Sequence, residues 1–169
     1  TISSTARVVE SIQFCVYTND DCGDGGSTVV LDDLDSSVTS LSELYFDIST
    51  NANYGIVITF VGGDLEGSMG SIPAVGPTPT TLTTGVDQFG LRVASAISTD
   101  SPGVGVKAPF DSMASNEYLL NPGESTVIGE SNGPSHVTKF TIEYAANIAP
   151  DTPSQEYSTA FEYIATGKF

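Results

Sequence analysis

Between closely spaced turn residues, the apolar side chains of this chain recur at every second position, and a period of two leaves a folding chain little choice but β-sheet. Leu44, Phe46 and Ile48 alternate with Tyr45, Asp47 and Ser49; Phe89, Leu91, Val93 and Ile97 alternate with Gly90, Arg92, Ala94 and Ala96; Phe140, Ile142 and Tyr144 alternate with Thr141, Glu143 and Ala145. Such strands have one buried face, as in antiparallel sheets. The pattern predicts strands near 7–17, 27–33, 42–50, 54–62, 88–97, 125–129, 135–146 and 156–166, separated by turn formers such as Gly62-Gly63-Asp64 and Ser131-Asn132-Gly133-Pro134. The one stretch with helical spacing, 111–120, is short and stops at Asn121-Pro122-Gly123. About eight strands without a helix predict an all-β fold, an antiparallel β-sandwich of immunoglobulin-like or jelly-roll-like type. Two stretches read as long surface connections: 98–124, rich in Pro and Gly, and the Pro/Thr run at 76–85.

The first strand pattern is too long for the domain that would contain it. Ile2, Ser4, Ala6, Val8, Glu10, Ile12, Phe14 and Val16 fall on one side of residues 1–17, with mostly polar residues between them. At about 3.3 Å per residue the stretch would extend about 55 Å, whereas a domain of this length is about 40 Å across. An apolar face that leaves its parent fold must be buried in a neighbouring molecule. The predicted organisation is therefore an N-terminal donor-strand extension at 1–12, with Ile2, Ser4, Ala6, Val8 and Ile12 on its inserting face, followed by one sandwich domain at 13–169.

Charge and cysteine use narrow the function classes. There are 21 acids against five Lys and Arg, a formal net charge of −16, and between Arg7 and Arg92 twelve acids occur without a base. Such a surface repels phosphate backbones, which excludes nucleic acid as an expected partner. No apolar run approaches the roughly 20 residues of a membrane helix, so no membrane insertion is expected. The chain starts at Thr1 rather than Met, which fits removal of an export signal. Its only two cysteines, Cys15 and Cys22, are spaced to close a small loop as a disulfide, the expected pairing in an oxidising compartment. The expected location is the cell surface or the medium outside it.

Constellations for catalysis are missing from the sequence. His136 is the sole histidine and no nucleophile motif accompanies it; Cys15 and Cys22 do not form a C-x-x-C pair. No enzymatic activity and no cofactor are expected. The acidic loop at 19–26 offers Asp20, Asp21 and Asp24 as oxygen ligands of the kind calcium takes, although the spacing departs from the calcium-loop pattern and its distal Glu.

Three stretches, QFCVYTNDDC at 13–22, LYFDISTNANYGIVITFVGG at 44–63 and VTKFTIEYAANIAPDTPSQEYSTAFEYIATGKF at 137–169, together resemble exported bacterial surface β-sandwich proteins. In its early apolar strand the chain is similar to subunits of donor-strand-complemented fibres, the chaperone–usher pilins and the camelysin/TasA-like matrix proteins. It lacks the Trp motifs of the related WxL wall-binding domains, having no Trp. The resemblance implies a non-enzymatic extracellular subunit whose partners are copies of itself, joined head to tail in a filament. The alternative expectation is a monomeric surface module, an adhesin or a glycan- or calcium-binding domain meeting surface glycans or other cells through the loops at 76–85 and 98–124.

Overall fold

The structure is a computed structural model that describes residues 5–19, 21–23 and 26–169. It is all-β, without a helix among the described residues, and its antiparallel sheets pack face to face as a sandwich. The larger sheet contains β1 (Ile12–Tyr17), β2 (Ser40–Thr50), β11 (Ser135–Asn147), β7 (Gln88–Ser98), β9 (Glu117–Leu120) and β6 (Gly76–Thr81), in that spatial order. The smaller one runs β12 (Glu162–Gly167), β3 (Ile56–Val61), β10 (Thr126–Glu130) and β8 (Gly105–Val106). A short hairpin of β4 (Leu65–Gly67) and β5 (Gly70–Ile72) completes the described strands, about twelve rather than eight.

The core lies where the alternation places it. Leu44, Phe46 and Ile48 of β2, Phe140, Ile142 and Tyr144 of β11, and Ile56, Ile58 and Phe60 of β3 are all buried between the sheets. Phe46 stacks on Phe140, with ring centroids 4.8 Å apart, across a directly paired position of β2 and β11. A cross-strand aromatic pair of this kind adds about 0.5–1.5 kcal/mol beyond the area it buries. Among the corners where the chain passes from one sheet to the other, β2 to β3 and β10 to β11 are neighbours. These corners are tied to each other: Ser131 N–H donates to Ile56 O at 2.9 Å, and Ile56 N–H donates to Ser131 Oγ at 3.2 Å. Gly55 sits in the tie with φ of 84°, and a Cβ there would lie 2.2 Å from Ser131 O. Both the dihedral and the approach require glycine.

Several sequence expectations are corrected by the fold. The stretch 98–124 is no mere surface connection, since it contains β8 and β9 and buries Val104, Phe110, Tyr118, Leu119 and Leu120. The first strand begins at Ile12 rather than near residue 7. Ile97 does not share the inner face with Phe89 and Leu91: β11 advances two residues, Phe140 to Ile142, while β7 advances three, Val93 to Ala96. This β-bulge reverses the alternation, so Ala96 packs on the core and Ile97 is 67% exposed. The run at 76–85 is a strand in its first half, because β6 is an edge strand and an edge tolerates Pro77 and Pro79. The last strand is shorter than 156–166, beginning at Glu162. Finally, 27–33 forms no strand: Val29 and Leu31 do turn toward the core, but Asp32 adopts a left-handed φ of 54°, and the stretch has no ladder.

Candidate interaction site at the N-terminal segment and the sandwich seam

β1 is anchored to its own domain along its whole length. It pairs with β2 from Ile12 opposite Thr50 to Tyr17 opposite Tyr45. The Cys15–Cys22 disulfide folds the following loop back onto it, with Cα atoms 5.8 Å apart. Tyr17 O–H donates to Asp47 Oδ1 at 2.9 Å, and the Lys139 ammonium lies 4.6 Å from the Tyr45 ring centroid and 5.3 Å from that of Tyr17. Burial first, and then the Asp47 carboxylate, push the Tyr17 phenol up to about 12. Cations over aromatic faces hold this corner on its outer side.

Just before β1 the ladder ends on a side chain. Asn51 follows the last residue of β2, and its amide bonds the main chain of the incoming segment on both sides, taking Ser11 N–H on Oδ1 at 2.5 Å and donating from Nδ2 to Val9 O at 2.9 Å. Its own N–H donates to Ser11 O at 3.2 Å, and Thr50 Oγ1 donates to the same oxygen at 2.9 Å. A side-chain amide presents the same donor and acceptor as a peptide group, so Asn51 extends the sheet by one step and then releases the chain. Residues 5–8 make no hydrogen bond to another described residue, and Val8 and Val9 are 83% and 72% exposed.

Of the proposed inserting face, Ala6 and Val8 lie on this exposed stretch, while Ile12 opens β1 and packs against the core. Ile2 and Ser4 lie outside the described residues. Asp20 and Asp24 of the acidic loop also lie outside them; Asp21 is exposed and accepts Gly23 N–H at 2.7 Å in a local turn. Among the described residues no three His, Cys, Asp or Glu side chains converge as a metal site would require. His136 is exposed at the start of β11, where its main-chain N–H donates to Pro102 O at 2.8 Å.

A cleft of about 1010 Å³ opens where the two sheets part. Its apolar lining comes from both: Val16 of β1, Leu44 of β2 and Tyr144 of β11 on one side, Tyr163 of β12 and the preceding Phe161 on the other. The stretches 27–34 and 152–159 form its rims. Tyr144 and Tyr163 share a hydrogen bond of 2.5 Å between their hydroxyls, and burial raises both phenols well above the ordinary tyrosine range. Residues 27–34 place Val29, Leu31 and Leu34 against the core, yet form no main-chain hydrogen bond among the described residues. Neither Asn51 nor this cleft carries a local sequence signal. The role of Asn51 depends on a segment 40 residues earlier in the chain, and the cleft depends on which edges the sheets leave open. Comparison with family models, with curated proteins and with solved structures finds no match to this chain.

Proposed function

We propose that this protein is an extracellular, non-enzymatic structural subunit that polymerises into a pilus-like or matrix filament by donating its N-terminal segment, as a β-strand, to the neighbouring copy. The observation that carries this reading is the exposed apolar stretch at Ala6, Val8 and Val9, released from the sheet at Asn51, with residues 5–8 making no hydrogen bond among the described residues. In strand addition the main-chain ladder supplies affinity and the alternating side chains set register. A head-to-tail contact of this kind does not close on itself, so it propagates as a fibre. The motif resemblance to donor-strand-complemented subunits, the disulfide and the acidic surface all fit such a subunit outside the cell. Deleting residues 1–8 leaves β1, its disulfide and the core in place. The truncated protein is expected to remain a folded monomer by light scattering and to show no fibres by negative-stain microscopy, whereas the full chain shows them. Normal fibres from the truncation would overturn the reading.

A further inference from the structure

We propose that the seam cleft is the acceptor groove for residues 2–9 of a second copy, and that residues 27–34 are a resident segment which the incoming strand displaces. The inference rests on the strand-donation reading and adds to it where the strand goes and what leaves.

Three observations favour this groove. The first is the way 27–34 is held. Val29, Leu31 and Leu34 supply apolar contacts, but the main chain forms no ladder with a neighbouring strand, and Asp32 breaks the extended conformation at φ 54°. An incoming strand of the same length, residues 2–9, offers its own alternating side chains and, in addition, main-chain hydrogen bonds that the resident segment does not make among the described residues. The leaving Val29, Leu31 and Leu34 are at least as bulky as the entering Ile2, Ala6 and Val8, so it is the ladder that favours the incoming strand.

The second observation concerns the other sheet edges. At the far edge of the larger sheet, β6 presents Pro77 and Pro79, which have no N–H to offer. At the far edge of the smaller sheet, β8 is two residues long. The edge at β1 is flanked by its own disulfide loop. The outer edge of β12 remains, and β12 borders the cleft with Tyr163.

The third is charge. Arg7 is the only base before Arg92, it lies in the donated stretch, and it forms no ion pair among the described residues. The groove rim that stays behind carries Glu156 and no base. The one positive charge of the donor therefore meets an acidic acceptor, which favours insertion in trans.

Placing the photo-cross-linking residue p-benzoylphenylalanine at position 8, where the native side chain is exposed, tests both halves. Fibres are assembled from mixed isotopically light and heavy copies, irradiated and digested. Links from position 8 are expected to fall in 12–17, 40–50 or 157–167 of another copy. Hydroxyl-radical footprinting is expected to show Val29, Leu31 and Leu34 modified several-fold more in the fibre than in the monomer. Fibres whose links map to β6 or β8, or whose Val29, Leu31 and Leu34 are equally protected in both states, would overturn the groove assignment while leaving strand donation standing. A protein that remains monomeric under all conditions overturns both.

Discussion

Asn51 shows how a single side chain can mark the boundary between a domain and its extension. Its amide replaces one peptide group of a ladder, bonding Ser11 N–H and Val9 O, and a hydrogen bond of this kind is worth about 0.5–1.5 kcal/mol. Asn51→Ala is therefore expected to lower global stability by no more than about 2 kcal/mol, while hydrogen exchange at Ser11 becomes markedly faster; unchanged exchange at Ser11 would show that the clamp is not what holds the segment's root. The tyrosines make a separate residue-scale prediction. Tyr144 and Tyr163 have phenols raised by burial in the folded state, so the unfolded chain loses their protons first, near pH 10. Their contribution is fully present below pH 10 and is lost as pH rises toward the folded values, at about 1.4 kcal/mol per pH unit for each tyrosine. Denaturant unfolding between pH 9 and 11 should show this fall, and Tyr163→Phe should make it shallower by one tyrosine's share. An identical slope in the variant would refute the assignment.

Which elements were legible in the sequence depended on how many neighbours each has. β2, β3 and β11 sit inside sheets, so Leu44, Phe46, Ile58, Phe140 and Ile142 had to alternate, and their pattern could be read directly. Residues 27–33 carry the same alternation without a strand beside them, and nothing in Val29 or Leu31 reports a missing neighbour. The bulge that turns Ile97 outward is set by pairing with β11, some forty residues downstream, so it left no local trace. Pro77 and Pro79 suggested a loop because proline ends central strands, yet it is compatible with an edge. Of the candidate site, the exposed apolar residues Ala6, Val8 and Val9 could be read from the sequence and the seam cleft could not, since a cleft between sheets exists only once both are assembled. Two perturbations probe these elements. Gly55→Ala combines a positive φ with a Cβ 2.2 Å from a carbonyl oxygen, and should destabilise the corner by at least about 2 kcal/mol in denaturant unfolding. Replacing Cys15 and Cys22 together with Ser opens a loop of eight residues and should lower stability by about 2.5 kcal/mol on the chain-entropy account. Wild-type stability in either variant would contradict the structural role given to that position.

At the scale of the whole molecule, the net charge of −16 would act against the proposed strand donation. Two copies approaching head to tail repel through their full charge, while the attraction of Arg7 for an acidic rim is a single pair that acts only near contact. Lowering ionic strength to 0.01 M lengthens the screening distance to about 30 Å, comparable with the width of a subunit, whereas at 0.15 M it is about 8 Å. Over most of the approach the repulsion therefore dominates, and screening it should accelerate encounter more than it weakens the Arg7 contact. Assembly followed by light scattering is expected to be slow at 0.01 M salt and faster at 0.15 M, with fibres of the same appearance by negative stain. Arg7→Glu adds two units of negative charge per copy and removes the one attractive contact, so it should slow assembly at both salt concentrations and most strongly at the lower. If assembly slows as salt is added, local attraction outweighs global repulsion, and the acidic surface must then be neutralised along the fibre by an arrangement other than simple screening.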